Sequence, residues 1–319
     1  MFFKKSHGAK AGYQVTKASK AQVDEVFDRF YKREEVRKNA IVFVATDNKD
    51  NIIGYLVAEA GESLAERLGR TIPFASTDWF IGTIFVAPKR RRQGVGTALL
   101  QEAIKHAQQA GVRHLLGSCL KTPAHLFWYK HHFCFILYGQ KLNDANIPDE
   151  YGNYPHMIVR RLDKKQACPH KQDGYQIVKA TQAQLDLLFG DHILQDGLKF
   201  FHDKKGAISG LSAVDEEDTL LGMIGSYPYE LGTPLNGTQW MIPYIYVRPA
   251  SRGQGIGSAL VGEMIKAARE ANVKQLTCLY VTEEASKFLY QNNFGVCNYY
   301  IMDDIDGRRA VSAALRLDD

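Results

Sequence analysis

The chain has 319 residues, 45% hydrophobic and 24% charged, which suits a globular protein of two domains, each able to bury a core without metal or disulfides. Five scattered cysteines form no CxxC pair, no stretch nears the ~18 consecutive apolar residues of a membrane helix, and no apolar run backs the N-terminal lysines. Zinc sites, a disulfide framework, membrane insertion and a secretory leader are therefore not expected, and reduced thiols fit a cytoplasmic protein.

In chain order the elements come in pairs. GYQVTKASKAQVDEVF from Gly12 recurs as GYQIVKATQAQLDLLF from Gly174, 162 residues on, and WFIGTIFVAP from Trp79 recurs as WMIPYIYVRP from Trp240, 161 on. RRQGVGTAL from Arg91 and RGQGIGSAL from Arg252 keep the spacing of 161, as do Tyr129 and Tyr290. A repeat this long is a duplicated domain rather than a solenoid. Residues 1–162 form the first domain, the polar stretch 163–173 the linker, and 174–319 the second domain.

Each half opens with a strand (Tyr13–Val15; Tyr175–Val178). A helix follows behind the S/T-x-x-Q pattern of a capping box, Ser19 with Gln22 and Thr181 with Gln184. Apolar residues at helical spacing continue it, Val23, Val26, Phe27 and Phe30 in one half and Leu185, Leu188 and Phe189 in the other. Strands at Ile41–Ala45 and Ile52–Ala58 match Ile208–Val214 and Leu220–Gly225. A strongly β-prone run, Trp79–Val86 or Trp240–Val247, stops before Pro88 or Pro249. Then come a Gly-rich turn, an amphipathic helix, a strand (Leu115–Cys119; Leu276–Tyr280), a short aromatic helix and terminal strands ending near Arg161 and Leu317. Each half is α/β.

The chemistry sits in the turn, Arg91-Arg92-Gln93-Gly94-Val95-Gly96-Thr97 and Arg252-Gly253-Gln254-Gly255-Ile256-Gly257-Ser258. The first turn of a helix has unpartnered amides and the positive end of the dipole, and glycines let that backbone approach an anion. Arg91 and Arg252 add a guanidinium to the rim, Thr97 and Ser258 a hydroxyl. The turn lacks the endings of a P-loop or a dinucleotide fold. The net charge of +5 is uneven, with 26 Lys and Arg against 16 Asp and Glu in residues 1–166 and 14 against 19 in 167–319. A basic half suits an anionic cofactor, or docking on the acidic half; its charges are dispersed rather than striped, which argues against nucleic acid.

R-x-x-G-x-G after a strand ending Val-x-Pro resembles the acetyl-CoA signature of the GNAT superfamily of N-acetyltransferases, and the resemblance spans both halves. It includes Y-x-x-x-F at Tyr129–Phe133 and Tyr290–Phe294. It implies two tandem GNAT-type domains, each a mixed, largely antiparallel sheet with splayed central strands flanked by helices. In such proteins the strand before the turn, here ending at Phe85-Val86 and Tyr246-Val247, bulges and pairs with the pantetheine arm. The turn residues bind the pyrophosphate, and the tyrosine matching Tyr129 or Tyr290 protonates the departing thiolate. Acetyl passes directly from acetyl-CoA to an amine. The physics fits, because strand amides can stabilise a developing oxyanion and a phenol stays protonated at neutral pH.

Two positions depart from the family. The strand glutamate that often serves as base is Phe80 or Met241 here, with Asp78 nearby in one half and Gln239 in the other. The Asn seven residues before the tyrosine is Thr122 or Glu283. The leading expectation is N-acetylation of a primary amine on a small acceptor, with no metal. Beside it stand one catalytic domain with a degenerate CoA-binding or acceptor-shaping partner, an acyl-CoA sensor, and, ranked below, an aminoacyl-tRNA-dependent transferase. An intramolecular pseudo-dimer and a homodimer are both open.

Overall fold

A computed structural model describes residues 12–67, 75–119, 122–136, 156–163, 174–185, 209–228, 239–281, 283–297 and 311–317. The first repeat runs β1 (Tyr13–Lys17), α1 (Lys20–Arg29), α2 (Glu34–Arg37), β2 (Ala40–Asp47), β3 (Ile52–Ala60), α3 (Gly61–Arg67), β4 (Asp78–Val86), α4 (Val95–Gln109), β5 (His114–Cys119), α5 (Thr122–Lys130), β6 (Cys134–Ile136) and β7 (His156–Arg161). The second runs β8 (Gln176–Lys179), a helical turn at 182–185, β9 (Ser209–Val214), β10 (Leu220–Pro228), β11 (Gln239–Val247), α6 (Ile256–Glu270), β12 (Gln275–Val281), α7 (Glu283–Gln291), β13 (Gly295–Cys297) and β14 (Val311–Arg316).

The strands make two mixed seven-stranded sheets of the same topology, β1-β2-β3-β4-β5-β7-β6 and β8-β9-β10-β11-β12-β14-β13. The expected fold is borne out, tandem GNAT-type α/β domains with helices flanking largely antiparallel sheets. Packing divides the chain into two units, one of residues up to Ser118 with Arg160–Asp163, the other of Cys119–Val159 with everything after Asp163.

Local sequence explains most elements. Ser19 and Gln22 close their capping box, the Gln22 amide donating to Ser19 Oγ (3.4 Å) and the Ser19 amide to Gln22 Oε1 (3.0 Å). Thr181 and Gln184 repeat it at 3.2 and 2.9 Å. Val26 and Phe27 are fully buried on α1, while Phe30, the last residue of its apolar spacing, caps the helix C-terminus and is 39% exposed. On α4, Leu99, Leu100, Ala103 and Ala107 are buried, and on α6 Ala259, Leu260, Met264 and Ala268. Burying each leucine contributes about 1.5–3 kcal/mol. The short helices α2 and α3 have no counterpart in the sequence reading.

The central strands carry the feature that builds a site. Against β3, Val57 pairs Thr83 and Ala58 pairs Ile81, so Gly82 is an extra residue in β4. Against β10, Gly225 pairs Tyr244 and Tyr227 pairs Met241, which puts the extra residue of β11 at Ile242-Pro243. The parallel pairing of β4 with β5 ends at Ile81–Gly117, and that of β11 with β12 at Ile242–Cys278. In both repeats the strands part where the bulge sits. Among the described residues the rest of β4 and β11 has no partner strand on that side, so its peptide groups form an open edge.

Candidate donor groove and acceptor face

Where β4 ends, Pro88 opens a single 3₁₀ turn and the chain folds back on itself. Arg91 Nε donates to the Val86 carbonyl (3.1 Å) and Gln93 Nε2 to that of Lys89 (3.0 Å). In the second repeat Arg252 Nε donates to Val247 O (3.1 Å) and Gln254 Nε2 to Ala250 O (3.5 Å). The signature arginine therefore clips the turn to the strand end with one nitrogen, a role that residue type alone does not reveal. Gly94 (φ 82°, ψ −4°) and Gly255 (φ 82°, ψ −5°) precede α4 and α6 in the left-handed region, where a side chain is strained.

A Cβ at Gly255 would stand in open space, with nothing within 4 Å, so its conformation and an open cradle explain the glycine rather than packing. Gly257 differs, since a Cβ there would come to 3.2 Å of the Phe288 ring. Neither α4 nor α6 has a side-chain cap, in contrast to α1. The positive helix end thus faces the open turn without a protein acceptor from its N-cap residue, which is what an anion requires.

In the second repeat the turn adjoins a cavity of about 770 Å³. Its walls are Ile242–Val247 of the open edge, Ser251–Gly253 and Gly255–Ser258 of the turn and α6, Cys278 of β12, and Ala285, Phe288, Leu289 and Gln291 of α7. An elongated cofactor with a phosphate end and an amide-bearing arm fits these walls, phosphate at the turn and arm along the strand. Burial pushes the Cys278 thiol up, so it stays protonated in the groove and is a poor nucleophile.

Of the remaining expected residues, Tyr246, Val247, Arg252, Gly253, Gly255, Ile256, Gly257 and Ser258 all line this cavity, whereas Gln254 is turned to Ala250. Tyr290 is half-buried on α7, but the lining comes from its neighbours Phe288, Leu289 and Gln291. Phe85, Val86, Arg91, Arg92, Gln93, Gly94, Val95, Gly96 and Thr97 form the matching strand end and turn of the first repeat. Arg92 there has φ 61°, where Gly253 has φ 79°. Tyr129 is half-buried on α5; the Arg316 guanidinium donates to its carbonyl and lies 4.0 Å from its ring centroid, a cation–π contact. His131 is buried against Phe127 and His132 is exposed.

The sequence reading names Asp78 without its partner and passes over Glu59. Asp78 belongs to a fully buried pair, with His114 Nδ1 at 2.8 Å from Asp78 Oδ1, in register across β4 and β5. The same register positions hold Gln239 and Gln275 in the second repeat. Glu59 is buried in an otherwise apolar strand; a lone carboxylate among Ile, Leu, Val and Ala is the signal that marks it. Among the described residues no cluster of His, Cys, Asp and Glu could hold a metal, and no helix is long and apolar enough to cross a membrane.

The sequence model of the acetyltransferase (GNAT) family matches residues 12–133 and again 176–296. No curated protein matches the chain. Solved structures of similar fold include nourseothricin acetyltransferase, at 20% identity and TM-score 0.31, covering 39% of this chain and 66% of that one. They also include IAA acetyltransferase from Bacillus cereus (16%, TM-score 0.34, 47% and 99%) and an acetyltransferase of the GNAT family from Staphylococcus aureus (13%, TM-score 0.34, 47% and 99%). With two matches that together take in well over half of its residues, the chain belongs to the acetyltransferase (GNAT) family and carries that family's domain twice.

Proposed function

We propose that the protein is an acyl-CoA-dependent N-acetyltransferase that moves acetyl from acetyl-CoA directly to a primary amine of a small-molecule acceptor. The observation that carries this is the groove of the second repeat, where an open strand edge, a left-handed glycine and an uncapped helix converge on one cavity. The turn amides and Arg252 would hold the pyrophosphate, and the Tyr244–Val247 edge the pantetheine arm. Acetyl-CoA supplies an acyl carbon activated by its thiolate leaving group. The chain's part is to fix that carbon beside the amine, a positioning effect worth up to about 7–11 kcal/mol. Amides of the open edge stabilise negative charge on the carbonyl oxygen, and Tyr129 and Tyr290 are the candidate acids for the departing sulfur.

We assign residues 1–162 and 174–319 as the domains, 163–173 as the linker and the cytoplasm as the location, in keeping with the buried free thiols of Cys119, Cys134 and Cys278. The test is release of free CoA from acetyl-CoA across a panel of primary amines, with the product identified by mass. Acetylated amine is expected. Tight acetyl-CoA binding without product on any amine would replace the enzyme by a sensor.

A further inference from the structure

Residues 119–159, the end of the first repeat, pack into one unit with everything after Asp163. Helix α5, which carries Tyr129, thus shares that unit with the whole second repeat.

The end of α5 is built to be held. His132 is left-handed (φ 61°), and the Phe133 amide donates to the Trp128 carbonyl (3.2 Å), the six-to-one bond of a Schellman turn. The His132 amide donates to the Tyr129 carbonyl (3.0 Å). A helix C-terminus leaves carbonyls short of partners and carries the negative end of the dipole, so it attracts a cation. That cation comes from the other repeat: the half-buried Arg316 of β14 donates to the Tyr129 carbonyl. The same guanidinium lies 4.0 Å from the centroid of the Tyr129 ring. One group thereby fixes both the backbone of Tyr129 and its ring, a task that suits a flat, forked cation better than a point charge. A tyrosine hydroxyl lies on the axis of its ring, so holding backbone and ring together holds the oxygen.

Arg316 does not act alone. In the register of β12 against β14 its partner is Gln275. Gln275 grips Phe135, six residues past Tyr129, through both the amide (3.0 Å) and the carbonyl (2.7 Å). A further bond to Thr277 Oγ1 (2.8 Å) steadies the Gln275 side chain. A single cross-strand pair of the second repeat therefore holds the segment 129–135 at both ends. Close packing accompanies it, since a Cβ at Gly295 of β13 would come to 3.1 Å of a Val159 methyl of β7. Arg316 is the one charged side chain of β14, behind the buried Ala313, Ala314 and Leu315.

We propose that Arg316 is a positioning residue for Tyr129, so that the second repeat sets the aim of the acid used by the first. This rests on the acyltransferase reading above. In the step concerned the C–S bond breaks with its electron pair going to sulfur, and the Tyr129 O–H proton passes to that thiolate. The phenolate then regains a proton shed, through water, by the newly acylated nitrogen. Arg316 makes and breaks no bond; it fixes the place from which the proton leaves, and proton transfer is sensitive to small displacements.

The test places Arg316→Met in two backgrounds. Tyr290→Phe leaves Tyr129 as the candidate acid, and Tyr129→Phe leaves Tyr290. Each protein is assayed with acetyl-CoA and the primary amine of the panel that wild type acetylates fastest. R316M should lower kcat about tenfold in Y290F and less than about twofold in Y129F, with KM for acetyl-CoA unchanged in both. Arg316→Lys should recover part of the loss in Y290F, because it keeps the charge without the fork. A residue that only stabilised its own repeat would give the reverse pattern, since Tyr290 belongs to the repeat that supplies Arg316. Should R316M not fold, R316K carries the same comparison, with a loss of about threefold in Y290F alone. Equal losses in the two backgrounds, a loss confined to Y129F, or none in Y290F overturns the assignment. So does a Y290F protein that has lost all turnover, because the first repeat is then idle. Wild type that binds acetyl-CoA yet acetylates no amine overturns the acyltransferase reading itself, and this assignment with it.

Discussion

The two repeats agree where the donor would bind and differ where an acceptor would. Their turns are superposable in backbone angle, Gly94 and Gly255 sharing φ 82°, and their arginines make the same 3.1 Å clip to the strand end. Both sheets bulge and part at equivalent positions. Around the bulge, however, the positions of Glu59 and Thr83 are taken by Tyr227 and Tyr244 in the other copy, and those of the buried Asp78–His114 pair by Gln239 and Gln275. After duplication the backbone geometry of the turn has been retained while the side chains around the bulge have diverged.

The largest expected effect tests the buried polar pairs. His114→Leu removes a buried partner of Asp78 and should cost the first unit about 3–5 kcal/mol. Gln275→Leu should cost less, about 2–3 kcal/mol, since it frees neutral groups: Gln275 accepts from the Phe135 amide (3.0 Å) and donates to the Phe135 carbonyl (2.7 Å). Denaturant unfolding of both variants measures the difference; equal losses would remove the distinction between the pairs.

Next come the cradles. Arg91→Glu and Arg252→Glu should each weaken acetyl-CoA binding at their own repeat by about 10²-fold, the loss of a charge-assisted contact plus reversal. Arg→Lys should fall between, because a lysine keeps the charge but cannot make the planar clip through Nε. Affinity unchanged in all of them would detach the arginines from phosphate binding. The smallest effect concerns Arg92, held at φ 61° where the second copy has Gly253. Arg92→Gly should shift stability by no more than about 1 kcal/mol, strain relief offsetting the extra freedom of glycine in the unfolded chain. A larger loss in thermal unfolding would show that the Arg92 side chain holds the turn.

The β-prone run, the glycine turn and its helix were legible in the sequence, because each depends on local pattern, and the capping boxes formed as their spacing implies. That the helix ends at Phe30 was not legible, since periodicity cannot tell a core position from the residue that ends the helix. The clip of Arg91 was not legible, because a guanidinium's partner depends on how the turn folds back. The pairing of Glu59 with Phe80 was not legible, because register is a property of two strands rather than one. The grip of Gln275 on Phe135 joins residues 140 apart in the chain, beyond the reach of any local pattern.

Calorimetric titration of the purified, CoA-free protein with acetyl-CoA tests the central claim most directly, that the matched turns of the two repeats make two equivalent donor cradles. Wild type should bind two equivalents. A single equivalent would mean that matched turns do not make matched sites, and no binding would contradict the donor assignment altogether.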